Sequence, residues 1–496
     1  MASITTARGT LTNPNIVLFI SDETRYPQHW PADWVAQHLP TWQKLANTGL
    51  TFTNAITAAC ECSPSRASFL TSTYPEENGV RVTFTNPLPT KMKNLADVLA
   101  SANYAVTWKG KWHLSHPVDG GVWGPNDPAA LQTNYRMQGW NPPDAGTSLS
   151  PDSTLGGGKW NNDDRFVTGT AHNGQQAWGT GVLQFLETVE MPFCLVVSLV
   201  NPHDVFLYPG PHGGPENVLS AGYDSSVLND IGIGLPANQC DDLTTKPAVQ
   251  LQFRSAFEKS HPLTTNEQFT KYVNFYAYLH TLSDALFGQI YDALCAKNLL
   301  DDTLIIRMAD HGEMGLSHGL REKMYTAYEE AIHVPLIWSN PKLWPTAQTT
   351  DAMVSSLDLV PTLAAITGST NTASLRGTSY LGVLEGTQSD VQENVIYTFD
   401  DQFGSPPPTG PGQIRCIRTK TSKYAVYFDT NGDFEYEMYD LAADPGELTN
   451  LLFGSVSSSS LAMWKQLHGE LTTRLNALGA MPKDVQWPSD PWSSET

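Results

Sequence analysis

Four apolar runs in this chain end abruptly in polar residues. The runs cover residues 15–20, 104–108, 193–200 and 304–309, and their β-branched content predicts buried strands. The polar ends are Ser21-Asp22-Glu23, Lys109-Gly110-Lys111-Trp112-His113, Asn201-Pro202-His203-Asp204 and Asp310-His311-Gly312-Glu313. Ligands of open α/β sheets bind beyond the carboxyl ends of the strands. The pattern therefore predicts that these four ends meet at one crevice.

Helical spacing of apolar residues alternates with these strands. It predicts an amphipathic helix over residues 94–103, which leads into the Lys111 segment, and a long helix over residues 267–297. The alternation predicts an α/β fold, in which helices sandwich a large, mixed and mainly parallel sheet. We place this catalytic domain at residues 1–385.

The C-terminal part follows a different pattern. A break rich in Pro and Gly spans residues 404–412, and short antiparallel strands are predicted after it. Their predicted ranges are 414–419, 424–429 and 434–441, and a final helix is predicted over residues 461–478. We therefore expect a smaller α+β subdomain at residues 386–496, with an antiparallel sheet and a terminal helix.

The stretch from 116 to 174 has neither a helical nor a strand period, and we expect a long loop there. Its aromatic residues are Trp123, Tyr135, Trp140 and Trp160. Such residues suit the wall of a substrate pocket, and they suit the cap of a hydrophobic core equally well.

Composition and charge exclude several classes of protein. The chain has 496 residues, 40% of them hydrophobic, which is typical of a globular protein. A formal net charge of -21 argues against nucleic acid and disfavours polysulfated polymers, so a small monoanionic substrate is expected. No apolar run is long enough for a secretory signal or a membrane span, and we expect a cytoplasmic protein without membrane attachment. A chain trimmed of its leader would look the same.

The six cysteines are too scattered to indicate a disulfide framework. Cys60 and Cys62 resemble half of a zinc knuckle, but no second Cys/His pair lies at zinc-site spacing. Cys62 also begins the pentapeptide Cys62-Ser63-Pro64-Ser65-Arg66. Ser63 is a good N-cap and Pro64 a good first helical residue, which predicts that Cys62 lies just outside a helix N-terminus. With the permanent charge of Arg66, that position favours an oxyanion.

The pentapeptide resembles the Cys-x-Pro-x-Arg signature of type I sulfatases, in the alkaline-phosphatase-like superfamily. Other segments resemble the family in the same order. They are residues 110–114, like the second signature; residues 309–315, like the metal-binding strand end; residues 323–337, like a segment with a sulfate-contacting lysine; and residues 437–450, like the C-terminal domain. The resemblance implies that Cys62 is oxidised to formylglycine by a formylglycine-generating enzyme, and that the hydrated aldehyde is the nucleophile.

The resemblance also implies one divalent cation, held by Asp22, Asp310, His311 and the modified Cys62 side chain. Glu23 stands where an aspartate is common; it either reaches the metal or turns away. Calcium is our first expectation on family grounds. Because His311 stands where many members have Asn, and imidazole suits softer ions, manganese is the alternative.

By the same resemblance, Arg66, Lys111 and Lys323 clamp the transferring sulfate, and Lys323 and His203 are candidate acids for the leaving alcohol. His113 then removes the proton from the second hydroxyl, so that sulfate leaves. Each residue also has a structural alternative: a turn carboxylate at Asp22, a packed or surface imidazole at His113 or His203, and a solvated charge pair at Lys109 and Lys111.

These observations predict a sulfuric ester hydrolase that acts on a small sulfate monoester. The alternatives are a phosphonate or phosphate monoester hydrolase of the same superfamily and a catalytically silent binding paralogue. Lys111 together with His113 favours sulfate. The intact charged residues at every strand end argue against the silent paralogue.

Overall fold

Two main β-sheets organise the chain. The structure, a computed structural model, describes residues 2–146, 158–170, 179–401 and 409–488. Within these ranges the strands β1 to β15 are, in order, Ser3–Thr5, Thr10–Thr12, Asn15–Ser21, Gly49–Ile56, Ala59–Cys60, Val106–Gly110, Met137–Gln138, Cys194–Leu199, Thr303–Ala309, Leu336–Ser339, Gln348–Ser355, Asn394–Phe399, Gln413–Thr419, Ser422–Phe428 and Phe434–Asp440.

The larger sheet has eight strands in the order β11-β4-β10-β9-β3-β8-β6-β7. Strands β9, β3, β8 and β6 run parallel to one another, so their carboxyl ends share one edge. Strand β10 is antiparallel to both of its neighbours, β4 and β9. The sheet is therefore mixed and mainly parallel, as predicted.

The smaller sheet has the order β15-β14-β13-β12-β5. Strands β12 to β15 form antiparallel pairs. Strands β13, β14 and β15 confirm the three predicted C-terminal strands, whereas β12 was not predicted. The short strand β5 pairs parallel with β12, although it lies more than 300 residues earlier in the chain. Strand β5 ends two residues before Cys62, so the smaller sheet helps to position the predicted nucleophile. The domain boundary at residues 385 and 386 remains a prediction.

Helices cover both faces of the larger sheet. In the described ranges, α1 to α15 are Trp34–His38, Pro40–Asn47, Cys62–Thr71, Pro75–Asn78, Leu95–Ala100, Asp127–Tyr135, Arg165–Thr168, Val182–Thr188, Glu216–Ser220, Ala248–Ser260, Asn266–Ala296, Glu329–Ile332, Leu359–Thr367, Leu381–Leu384 and Ser458–Leu478. The long helix α11 and the terminal helix α15 lie where the spacing predicts them. None of these helices is both long and apolar enough to cross a bilayer.

Alternate residues of β3 enter different cores. Ile16, Leu18 and Ile20 pack on one face of the sheet, and Val17 and Phe19 pack on the other. All five are fully buried. The continuous apolar run is therefore that of a strand with both faces covered.

Two local predictions are wrong. The stretch from 116 to 174 is not simply a loop, because it contains α6, β7, α7 and a π-helical turn over Trp160–Asp164; residues 147–157 and 171–174 lie outside the described ranges. Helix α3 begins at Cys62 rather than after Ser63. Glu61 is its extended N-cap residue, so Cys62 is the first helical residue rather than a residue outside the helix.

Candidate active site

The carboxyl ends of the parallel strands and the start of α3 meet at one buried cluster. Strand β3 supplies Asp22, β9 supplies Asp310, and the end of β6 supplies Lys111. These three side chains are completely buried, as is that of Arg66 in α3. The strand-end pattern of the sequence thus corresponds to a real convergence of charged groups.

Three polar groups surround the Cys62 sulfur. His311 Nε2 lies 3.2 Å from Sγ, Lys111 Nζ lies at 3.5 Å, and Asp22 Oδ1 lies at 3.6 Å. Burial, followed by the negative charge of Asp22, raises the pKa of the Cys62 thiol to about 12. An unmodified thiol at this position is therefore almost fully protonated at neutral pH and is a weak nucleophile.

Arg66 ties the cluster together beneath Cys62. Its Nη2 lies 2.9 Å from both Asp22 Oδ2 and Asp310 Oδ2. Its Nη1 donates to the Lys111 carbonyl at 2.9 Å and to the Ser198 hydroxyl at 2.8 Å. A fully buried guanidinium needs such partners, since an unpaired buried charge is strongly unfavourable.

Asp22 is the electrostatic centre of the site. Burial opposes its ionisation, yet the nearby Lys111 and Arg66 hold its pKa well below the usual range. Its carboxylate contacts the ammonium group of Lys111 directly. Asp22 is therefore an anion that offers oxygen atoms to both the basic residues and a cation.

The donor atoms of Asp22, Asp310, His311 and Cys62 lie within 4.8 Å of one another. His311 Nδ1 lies 3.0 Å from the Gly312 carbonyl, to which it donates in the tautomer that leaves Nε2 free. Two carboxylates, one imidazole nitrogen and the residue at 62 form a donor set that fits a divalent cation.

Glu23 is turned away from this donor set. Its Oε2 lies 2.8 Å from Lys323 Nζ and 3.8 Å from His203 Nε2, and it does not join the group of four donors. Burial raises the pKa of Glu23 well above its ordinary value, and the nearby Glu322 and Glu313 raise it further. Glu23 also belongs to a second group of possible ligand atoms, with Asp22 and His203, so direct contact between Glu23 and a bound cation stays a prediction.

A cavity of about 250 Å³ opens above Cys62. Its walls include His113, His203 and Lys323, together with Glu61, Thr83, Phe84, Gly146, Phe206, Glu322 and Met324. Burial and the charge of Lys111 lower the pKa of both histidines well below the ordinary value, so both are neutral at pH 7. The cavity therefore presents neutral imidazoles and a lysine ammonium to a ligand at Cys62.

Comparison with known proteins identifies the family. A sulfatase family model matches residues 14–369, and a model for the C-terminal region of N-sulphoglucosamine sulphohydrolase matches residues 316–477. The chain belongs to the sulfatase family.

Relatives of this sulfatase span most of its length. It is 24% identical over 447 residues to Delta 4,5-hexuronate-2-O-sulfatase of Bacteroides thetaiotaomicron, covering 87% of this chain and 83% of the relative. A structure of a protein bound to its substrate D-glucosamine-2-N,6-O-disulfate has a TM-score of 0.71 at 19% identity, covering 95% and 99%. Phosphonate monoester hydrolase of Agrobacterium radiobacter has a TM-score of 0.68 at 21% identity, covering 93% and 95%.

The sulfatase also uses residues that the sequence patterns did not single out. Asp144 accepts hydrogen bonds from the backbone amides of Trp112, His113 and Ala145 at 2.8, 2.7 and 2.9 Å. Asp144 lies in a stretch predicted as loop, and no periodicity marks it. Ser198 lies inside an apolar strand run, where its hydroxyl would ordinarily count as a packing residue.

The aromatic residues of the 116–174 stretch pack in the core. Trp123, Tyr135 and Trp140 are buried in the cluster on one face of the sheet, and neither they nor Trp160 line the cavity. Lys109 lies apart from the site, where it donates to Asn141 at 3.1 Å. Of the two interpretations of these aromatic residues, Trp123, Tyr135 and Trp140 therefore follow the one in which they cap the hydrophobic core.

Proposed function

We propose that this sulfatase cleaves a small sulfate monoester through a hydrated formylglycine at position 62, with one divalent cation. One observation carries the proposal: Cys62 lies at the base of a cavity, and His311, Lys111 and Asp22 lie within 3.2 to 3.6 Å of its sulfur. Arg66 and Lys323 complete the positive surroundings that a sulfate group requires.

Conversion of Cys62 to formylglycine is supported by its environment. The thiol itself is a weak nucleophile there, since burial raises its pKa to about 12. The side chain is only 3% exposed, so a formylglycine-generating enzyme would need to act before the chain folds. The hydrated aldehyde would supply a nucleophilic hydroxyl at this position.

The cation would be held by Asp22, Asp310, His311 and the oxygen of the modified residue 62. When bound, it would supply Lewis-acid stabilisation of negative charge. Calcium remains our first choice, because three of the four donors would be oxygen atoms. Manganese is the alternative, because His311 contributes a nitrogen atom.

The remaining groups divide into charge clamps and proton carriers. Arg66, Lys111 and Lys323 would bind the sulfate oxygens. Burial opposes the charge of Lys323, but Glu23 and Glu322 raise its pKa well above the ordinary value, so it carries a proton at neutral pH. Protonated Lys323 is therefore a better candidate than neutral His203 to donate a proton to the leaving oxygen. His113, held neutral, suits the base that ends the cycle.

A panel of aryl and alkyl sulfates, phosphates and phosphonates tests this function. The protein is produced together with a formylglycine-generating enzyme, and residue 62 is examined by peptide mass spectrometry. We expect formylglycine at 62 and a kcat/KM for sulfate esters above those for the other two classes. Cys62→Ala should abolish turnover.

Three results would contradict the proposal. Fully active protein with unmodified cysteine at 62 would exclude the nucleophile. A higher kcat/KM for phosphonates would favour the phosphonate hydrolase. Loss of turnover with every ester, in protein that carries formylglycine, would indicate a silent paralogue.

A further inference from the structure

The cavity wall contains residues that the sulfate chemistry does not use. Cys62, His113, His203 and Lys323 account for the sulfate end, and seven lining residues remain, of which four are aromatic or acidic: Glu61, Phe84, Phe206 and Glu322. These four, which we call the leaving-group wall, combine two aromatic rings with two carboxyl groups. The alcohol portion of an ester bound at Cys62 would lie against them.

Phe84 has two unusual properties at once. Its side chain is 50% exposed, and its φ of 63° lies in the left-handed region that bulky residues rarely adopt. Its ring meets His113 edge-on, with the centroids 4.3 Å apart. Backbone strain of this kind costs about 1 to 3 kcal/mol and is concentrated at ligand sites. The exposed ring is therefore positioned for a ligand rather than for the core.

Phe206 provides the second ring of the leaving-group wall. It lies edge-on to His203, with the centroids 5.1 Å apart. Each of the two rings thus flanks one of the two histidines that border the cavity. The alcohol portion of an ester bound at Cys62 would therefore lie near two aromatic rings, and the faces of such rings attract cations.

The leaving-group wall contains two carboxyl groups and no basic residue. Of the described residues that line the cavity, Lys323 alone carries a permanent positive charge, and it is already bonded to Glu23 and Glu322 at 2.8 and 2.9 Å. Glu61 is hydrogen-bonded to Thr83 and to a second carboxyl group, that of Asp401. A further anionic group on the substrate would therefore find no free cation beyond the sulfate end.

We propose that the leaving-group wall selects a cationic alcohol, so that the preferred substrate is the sulfate monoester of a small alcohol bearing a quaternary ammonium group. Aromatic rings together with carboxylates are the chemistry that recognises such a group. The ester is a zwitterion without net charge, so the -21 field of the protein does not repel it. This inference rests on the proposed function, because it concerns the alcohol released from the same ester.

The test compares 2-(trimethylammonio)ethyl sulfate with its neutral carbon isostere, 3,3-dimethylbutyl sulfate, and with 3-carboxypropyl sulfate. The enzyme carries formylglycine and its metal, and kcat/KM is measured for each ester. We expect the cationic ester to exceed the neutral one by at least about tenfold, which corresponds to about 1.4 kcal/mol. We expect the carboxylate ester to be the poorest of the three.

Variants show how much of the preference comes from the leaving-group wall. The intrinsic reactivity of each ester is the same in every variant, so a change in the ratio reports the wall residues alone. Glu61→Gln and Phe84→Leu should each lower the ratio of cationic to neutral ester by about threefold or more. Glu190→Gln is the matched control: Glu190 is exposed and precedes β8, at the sheet edge away from the site, so the ratio should not change.

Equal kcat/KM values for the cationic and neutral esters would overturn the inference, as would a preference for the carboxylate ester. A ratio that survives in both wall variants would also overturn it. These outcomes leave the sulfatase activity intact and are thereby distinct from failure of the proposed function. If no ester is hydrolysed by modified enzyme, the proposed function fails and this inference falls with it.

Discussion

Asp22→Asn removes one negative charge from the centre of the active site without changing the shape of the side chain. In the wild-type protein, Asp22 Oδ2 lies 2.9 Å from Arg66 Nη2 and contacts the Lys111 ammonium. After the substitution, these two fully buried cations face Asp310 as their remaining close carboxylate within the described cluster. The change tests whether Asp22 is the electrostatic centre that its lowered pKa indicates.

The structure sets the expected magnitude. Removing one partner of a buried ion pair costs about 3 to 5 kcal/mol, because the other charge stays buried and unpaired. An exposed pair provides the comparison: Lys44 Nζ lies 3.1 Å from Asp292 Oδ1, and these side chains are 46% and 68% exposed. Asp292→Asn should cost no more than about 1 kcal/mol, since solvent screens such pairs.

Urea unfolding of the metal-free proteins, followed by tryptophan fluorescence, measures both variants against the wild type. Metal stoichiometry is then measured by mass spectrometry after reloading and buffer exchange. We expect Asp22→Asn to lower the unfolding midpoint clearly more than Asp292→Asn and to hold well under one equivalent of metal. The reasoning is refuted if the two variants have equal midpoints and Asp22→Asn keeps one equivalent.

Three further predictions concern single residues. His113→Ala should release about one equivalent of alcohol in a rapid-quench burst and then stall, because loss of a general base slows its own step by about 10²–10⁴-fold. Asp144→Asn should lower kcat by about 10²-fold in steady-state assays, because the amides that hold residue 113 in place lose an acceptor. Burial lowers the pKa of His280 to about 3. An unfolded histidine binds its proton near pH 6.5, so stability falls as the pH drops from about 6.5 toward 3. His280→Gln should flatten this dependence in urea unfolding by up to about 1.4 kcal/mol per pH unit.

Each of these predictions has a result that contradicts it. Uniformly slow turnover of His113→Ala without a burst would return His113 to a structural role. Unchanged kcat in Asp144→Asn would mean that its three hydrogen bonds do not position the base. A stability slope in His280→Gln equal to that of the wild type would assign the acid sensitivity to other groups.

The sequence predicted the strand core of the site because that part depends on hydrophobic burial. Strands β3, β8 and β9 appear within one or two residues of the predicted runs, since continuous apolar stretches have few alternatives to a strand with both faces covered. The long helix α11 was predictable for a similar reason, because its apolar spacing is sustained over many turns. Because the carboxyl ends of these strands lie at one edge of the sheet, the charged residues that follow them meet at the active site.

Other features depend on contacts between distant segments, which no local pattern reports. The antiparallel insertion of β10 between β4 and β9 is one such feature. The start of α3 is another: strand β5 holds residues 59–60 against β12, and the extended Glu61 then makes Cys62 the first residue of the helix. A local rule based on Ser63 and Pro64 placed that start too late.

The backbone at three residues of the site could not be predicted, because nothing in their side chains favours the conformation that they adopt. Glu23, His113 and Glu322 have φ values of 70°, 60° and 66°. In each case the strained residue donates its backbone amide to a buried carboxylate: Glu23 to Asp310 at 3.1 Å, His113 to Asp144 at 2.7 Å, and Glu322 to Glu313 at 3.0 Å. A charge-assisted hydrogen bond contributes about 1.5 to 3 kcal/mol, which matches the cost of about 1 to 3 kcal/mol for such strain. The carboxylates around this site therefore do more than balance the basic residues, since three of them hold Glu23, His113 and Glu322 in place.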